Sequence, residues 1–117
     1  MRDSRYTKKL LDETGEFTVN VPLGEVDKKI LSFCGTKSGR DVDKFKELGL
    51  TMEEPLHISV PGIKELPLTL ECKVLYKQKQ ERAEIPEGIK QRYYAGGDAD
   101  NYHTEYYGEI VGAYIIE

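Results

Sequence analysis

The spacing of apolar positions changes several times along the chain, and each change marks an element. From Ser4 to Thr14, Tyr6, Leu10 and Leu11 share one face while Lys8, Lys9 and Asp12 face water, which predicts a short helix with Ser4 as N-cap and Gly15 as its stop. Glu16 to Val21 then alternates. Phe17, Val19 and Val21 lie on one side and Thr18 and Asn20 on the other, a strand with one buried face, ended by Pro22. Helical spacing returns from Gly24 to Phe33 through Val26, Ile30 and Phe33, with Cys34 expected to pack as a small apolar residue. A turn over Gly35–Ser38 follows, and then a helix from Gly39 to about Leu48 with Val42, Phe45 and Leu48 inward and Gly49 as its cap.

The second half is richer in strand. Thr51 to Pro61 reads as a connector in which His57–Val60 is a marginal edge strand and His57 a surface residue. Leu66 to Lys77 is the clearest strand, with Leu68, Leu70, Cys72, Val74 and Tyr76 on one face and Thr69, Glu71 and Lys73 on the other. Its length suits a tilted barrel member. Glu87 to Tyr94 allows one or two helical turns, and Gly96 to Asn101 is expected to be a mobile loop. Tyr102 to Glu117 is the last strand, apolar on both faces and therefore expected in the middle of a sheet. Gly108 and Gly112 are spaced to admit a close ring or a bend. The fold class is α+β, mainly β. Three strands and a marginal fourth cannot close a barrel, so the chain is expected to dimerise or to be part of a larger domain.

Composition narrows the function classes. The 117 residues suit one small domain, with 38% hydrophobic and 32% charged residues. A formal charge of −4, with bases and acids interspersed, gives no general attraction to nucleic acid. No apolar run is long enough for a membrane span and no secretory leader is evident. Cys34 and Cys72 form no CxxC pair, and with only two histidines no zinc ligand set is assembled; two unpaired thiols fit a reducing cytoplasm. Eight tyrosines, clustered toward the C-terminus, suit packing against a flat ligand or a subunit interface.

Two segments carry candidate chemistry. In Gly35–Phe45, Ser38 and Asp41 have capping-box spacing, and Lys37, Arg40 and Lys44 surround the helix start they imply. Free N–H groups, a partial positive charge and three cations make an anion site; the same spacing also describes a capped junction with solvated charges. Arg2, Ser4, Arg5, Tyr6 and Thr7 repeat the arrangement with two guanidinium groups and three hydroxyls at the first helix, where the alternative is an ordinary cap on a frayed terminus.

Arg5-Tyr6-Thr7, Gly15-Glu16-Phe17-Thr18-Val19-Asn20-Val21-Pro22 and Cys34-Gly35-Thr36-Lys37-Ser38-Gly39-Arg40-Asp41-Val42-Asp43-Lys44-Phe45 resemble the flavin reductase-like, FMN-binding split-barrel family. So do Leu70-Glu71-Cys72-Lys73-Val74 and His103-Thr104-Glu105-Tyr106-Tyr107-Gly108-Glu109-Ile110-Val111, in the family's order. The resemblance spans residues 1–117 but begins where several family strands have already passed, implying a single N-terminally truncated domain with an incomplete split barrel. It implies that Ser4, Arg5, Tyr6 and Thr7 hold the FMN phosphate. Lys37, Ser38 and Arg40 would lie near the flavin and a homodimer interface, Lys44 and Phe45 would end that motif, and His103 would serve catalysis near the reactive edge of the flavin or the nicotinamide. The activity implied is electron transfer from NAD(P)H through FMN to an acceptor, with the flavin doing the redox chemistry. The family's ring-contacting segment is missing from this chain, which implies a second reading, a non-catalytic remnant with weak or absent FMN binding, and a third in which another polypeptide supplies the missing strands.

Overall fold

The computed structural model describes residues 1–117. In chain order it contains α1 (Tyr6–Thr14), β1 (Glu16–Val21), α2 (Lys28–Thr36), α3 (Lys44–Leu48), β2 (Met52–Glu53), β3 (Gly62–Ile63), β4 (Leu68–Lys79), α4 (Glu87–Tyr93) and β5 (Thr104–Ile115). Single 3₁₀ turns at Arg82–Glu84 and Gly96–Asp98 flank α4. β1, β4 and β5 form one antiparallel sheet in that spatial order, and β2 pairs with β3 in a short separate ribbon. The expected α+β class with an open, unclosed sheet is what the chain adopts.

The alternation of β1 fixes its register on β4. Phe17, Val19 and Val21 stand opposite Cys72, Leu70 and Leu68, while Thr18 and Asn20 stand opposite Glu71 and Thr69. The face this chain covers most fully is the polar one; on the apolar face Cys72, opposite Phe17, is buried but most of its neighbours are not. Thr69 and Glu71 are wholly buried, whereas Val19, Ile110 and Ile115 on or beside the apolar face are 40%, 58% and 59% exposed. The cover is residues 55–63. Glu71 accepts hydrogen bonds from the backbone N–H of Leu56 (Oε2, 2.8 Å) and His57 (Oε1, 2.8 Å). His57 Nδ1 lies 3.1 Å from Oε1, and the Tyr114 hydroxyl donates to Oε2 at 3.4 Å. Thr18 donates to the Pro61 carbonyl at 3.1 Å, Asn20 Oδ1 accepts from Ile63 N at 3.1 Å, and Ser59 Oγ donates to Glu16 at 2.6 Å. Residues 57–60, read as a marginal strand, are instead an irregular strap pinned by these side chains, and the ribbon forms on either side of them.

The last strand is at the edge of the sheet, not in its middle; β4 holds the centre. Two register shifts, which leave Val111 on β5 and Leu75 on β4 without direct partners, twist the β4–β5 pair. The shift at Val111 also separates the two strand glycines. Gly108 meets the Phe17 ring, where an added Cβ would fall 2.6 Å from Cζ. Gly112 meets the His57 ring on the opposite face, 2.6 Å from Nδ1. A close ring at these glycines was among the expectations, but so was a shared face, and the extra residue at Val111 puts the two glycines on opposite faces.

Three local differences have physical causes. α2 begins at Lys28 because Asp27 accepts from Lys29 N at 2.9 Å, and it runs through Gly35 to Thr36, so Cys34 is helical and exposed. α3 begins at Lys44, capped by Asp43, which accepts from Lys46 N at 3.2 Å. Residues 38–43 form a turn in which Asp41 N and Val42 N both donate to the Ser38 carbonyl. The Ser38–Asp41 capping box is therefore not made.

α1 is fixed to the sheet through Asp12, which accepts from Lys8 Nζ (2.7 Å), Lys77 Nζ (3.3 Å) and the Tyr106 hydroxyl (2.6 Å). The Lys8 and Tyr106 bonds bring its carboxyl down to about 2.

Gly62 is buried against this polar face. A Cβ there would sit 2.9 Å from Thr69 Oγ1, 3.2 Å from the Tyr114 hydroxyl and 3.3 Å from Thr69 Cγ2. With Thr69 wholly buried there is no slack to absorb a methyl group. Gly62→Ala is expected to destabilise by about 1–3 kcal/mol, read as a lower urea midpoint at unchanged slope. An unchanged midpoint would show that the strap relaxes freely.

Candidate functional site

The two cation-bearing segments come together. Residues 39–45 lie across the start of α1, and between them runs an open groove of about 640 Å³ whose walls include Tyr6, Thr7, Arg40, Val42, Lys44 and Phe45. Gly39 allows the approach, since a Cβ there would be 2.9 Å from Tyr6 Cδ2. Arg40 lies with its guanidinium 5.3 Å from the Tyr6 ring centroid and donates to the Ser4 carbonyl at 3.2 Å. Ser38 Oγ accepts from Arg40 N at 3.1 Å and so shapes the turn. Lys44 Nζ donates to the Cys34 carbonyl at 3.0 Å, binding α3 to α2 while its stem lines the groove. Lys37 is exposed and is not a wall of the groove.

The N-terminus of α1 is open to a ligand. Its N-cap is Arg5, in an extended conformation and with no side-chain cap. The backbone N–H groups of Tyr6 and Thr7 find no acceptor in the chain, the Thr7 hydroxyl makes no hydrogen bond, and the Arg5 guanidinium has no ion pair. Orphan N–H groups at a helix start, with a hydroxyl and two guanidinium groups beside them, match the acceptor-only chemistry of a phosphate monoester. The donor set fits the phosphate of a flavin mononucleotide. Asp41 and Asp43 also line the groove, and Asp43 is occupied as the α3 cap.

Ser4 has another task. Its hydroxyl accepts from Asn101 Nδ2 at 2.9 Å and its N–H donates to Asn101 Oδ1 at 3.1 Å. It is therefore not the expected helix cap. Sequence reading missed Asn101 because the two residues are 97 apart and Asn101 closes a Gly/Asp-rich segment that looks like any loop.

His103 lies beside this region and is not a wall of the groove. It forms an isolated bridge with Arg2, and its Nδ1 is 2.7 Å from the Tyr94 hydroxyl. Gln80 Oε1 accepts from His103 N at 2.8 Å and from the Tyr94 hydroxyl at 3.2 Å. The Tyr94 and Tyr102 rings stack with centroids 4.4 Å apart; Arg2 packs on Tyr94 at 5.1 Å and Arg82 on Tyr102 at 4.7 Å. Burial lowers the His103 imidazole pKa, and the terminal ammonium, Arg2 and Arg5 lower it further against Asp3. The ring is neutral at pH 7 and available as a hydrogen-bonding group.

On the other side of α1 is an apolar hollow of about 890 Å³, bounded by Leu10, Leu11, Phe17, Val60, Tyr106 and Tyr107. It shares Thr7 and Leu10 with the groove. Only seven of the 117 residues are buried, so the sheet face beside this hollow is open.

Comparison with known proteins places the chain in a family. The family model for the flavin reductase like domain matches residues 1–117. An uncharacterized protein of Archaeoglobus fulgidus is 44% identical over 72 residues, 62% of this chain and 40% of that protein. Flavoredoxin of Desulfovibrio vulgaris (Miyazaki F) superposes with a TM-score of 0.72 at 26% identity, covering all of this chain and 51% of that one. Flavoredoxin from Methanosarcina acetivorans gives 0.62 at 30% identity, over 99% of this chain and 50% of its own. The chain thus spans about half the length of these solved structures. With the match running from its first residue to its last, the chain belongs to the flavin reductase-like family of FMN-binding split-barrel proteins.

Proposed function

We propose that this domain binds FMN and passes electrons from NAD(P)H through the flavin to an acceptor. The observation that carries the reading is the uncapped α1 start, where the Tyr6 and Thr7 N–H groups, the Thr7 hydroxyl and the Arg5 guanidinium converge without partners. These groups hold the phosphate, and Arg40 adds a second guanidinium across the groove. Tyr6, Val42 and Phe45 give the same groove an apolar wall for the ring. Bound flavin supplies hydride acceptance and electron delivery; the chain supplies position and field. Neutral His103, oriented by Tyr94, is the candidate catalytic side chain nearest the N-terminal segment. The exposed Cys34 and buried Cys72 thiols suit a reducing cytoplasm.

The reading includes a homodimer. The accessible surface is 8185 Å², against roughly 6,500 Å² for a folded monomer of this mass. The radius of gyration is 16.0 Å, against about 13 Å for a globular chain of this length. The surplus exceeds the ~800 Å² per partner of a standard interface, and much of it is apolar sheet.

Purified protein titrated with FMN tests the function. Quenching of flavin fluorescence with a saturable endpoint, and a yellow protein absorbing near ~450 nm, is the expected result. A colourless preparation that ignores FMN favours the remnant reading, to which the small core lends support. Sedimentation across a concentration series tests the dimer, and a monomer at all concentrations would remove it.

A further inference from the structure

We propose that Asn101 is a positioning residue for the anion site, so that the 96–101 loop sets the shape of a phosphate-binding turn far from it in sequence. The inference rests on the FMN reading above and goes beyond it. Asn101 grips the segment ahead of α1 at three atoms: Oδ1 accepts from Ser4 N (3.1 Å), Nδ2 donates to Ser4 Oγ (2.9 Å), and its carbonyl accepts from Arg2 Nη1 (2.9 Å).

This grip has a chemical consequence. Serine next to a helix start normally turns its oxygen onto the first free N–H groups. Here the Ser4 hydroxyl is held by Asn101, and the Tyr6 and Thr7 N–H groups stay unclaimed. From the other side Arg40 donates to the Ser4 carbonyl at 3.2 Å. Ser4 is thus a keystone between the loop and the groove, its hydroxyl oxygen taken as an acceptor while its O–H is still able to donate.

The loop is built to hold Asn101 in place. Asp98 Oδ1 accepts from Asn101 Nδ2 at 3.2 Å. Asp100 takes a left-handed backbone with φ of +65°, rare for a residue with a side chain, and Arg82 holds it through its carboxylate (2.7 Å) and its carbonyl (3.5 Å). A conformation of this kind persists when its surroundings fix it. The Gly96–Asn101 segment, expected to be mobile, is tied at several points.

The test compares FMN with riboflavin, which lacks the phosphate, in fluorescence titrations of the wild type, Asn101→Ala, Ser4→Ala and the double variant. Asn101→Ala is expected to weaken FMN about tenfold while leaving riboflavin unchanged. The double variant should lose no more than Asn101→Ala alone, because both act through one contact. Amide exchange at Ser4 should quicken in Asn101→Ala with β4 amides unaltered, which separates loss of the grip from unfolding. Equal weakening of FMN and riboflavin, or unchanged FMN binding in Asn101→Ala, would overturn the positioning role and leave the FMN reading standing. A wild type that binds both flavins equally would overturn the phosphate site and this inference with it.

Discussion

Glu71→Ala is expected to leave most of the chain unfolded at 25 °C. The carboxylate is wholly buried and is the common acceptor for Leu56 N, His57 N, the His57 ring and the Tyr114 hydroxyl. Truncation strands two backbone N–H groups and a phenol under the strap. Each unpaired buried donor costs on the order of 1–3 kcal/mol, and three are left here. A small domain has only about 5–15 kcal/mol to lose, and one this thin in buried residues lies toward the low end. Glu71→Gln keeps one oxygen acceptor and should fall between. Urea unfolding checks the series, and a Glu71→Ala protein as stable as the wild type would show that the strap is not held this way.

Acid should mimic the substitution. Burial alone would raise the Glu71 carboxyl; the Leu56 and His57 N–H bonds and the His57 ring outweigh it and hold the group below the ordinary 4.5. Asp12 is drawn to about 2 by Lys8 and Tyr106. A carboxyl depressed in the folded state stabilises above its unfolded value and loses that contribution as pH falls toward the folded one. Stability should therefore be flat near neutrality and decline below about pH 4.5, with the strap and α1 the elements that depend on these two groups.

The residues that repeat at a fixed period were legible from sequence. β1 forms over the residues its alternation marks, and β4 and β5 are found where the apolar runs stand. What alternation cannot say is which face of a strand its own chain will cover. Apolar residues at every second position of β4 suggest a core on that side, yet the strap lies on Thr69 and Glu71. The reason is hydrogen-bonding capacity. The backbone of 55–63 needs hydrogen-bond partners, and only the polar face offers Glu71 and Asn20 as acceptors and Thr18 as a donor. The register shift at Val111 was legible only in part: Gly112 beside it marks a place where the strand can bend, but not which residue is left unpaired.

At the site, residue type was more informative than spacing. Two segments were singled out for their cations and small hydroxyl residues, and the fold sets them against each other through Gly39, Tyr6 and Arg40. The capping signatures failed at both. Each of Ser4 and Ser38 had two ways to use its hydroxyl, and long-range or turn-local partners took it. Asp43, one position before α3, competes better for that helix because its carboxylate reaches Lys46 N directly. A one-dimensional pattern lists the possible caps; the contacts made by Asn101 and Tyr6 decide among them.

Arg5→Ala should weaken FMN binding by roughly 1.5–3 kcal/mol, or tenfold and more, with little change in stability. Arg5 is the exposed N-cap of α1 and its guanidinium makes no hydrogen bond or ion pair within the chain, so folding does not depend on that side chain. Arg40 differs: it already spans the groove to the Ser4 carbonyl and the Tyr6 ring, and removing it would disturb the turn as well as the charge. Arg5 is therefore the cleaner probe of phosphate recognition. Arg5→Lys should recover part of the loss, since an ammonium keeps the charge but not the two-pronged geometry. The contact is solvent-exposed, so wild-type affinity should fall as salt rises and the Arg5→Ala variant should show a shallower dependence. Riboflavin titrations separate the outcomes. Loss confined to FMN places Arg5 at the phosphate, loss of both flavins places it elsewhere on the ligand, and unchanged FMN affinity removes it from the site and leaves the orphan N–H groups of α1 without their charged partner.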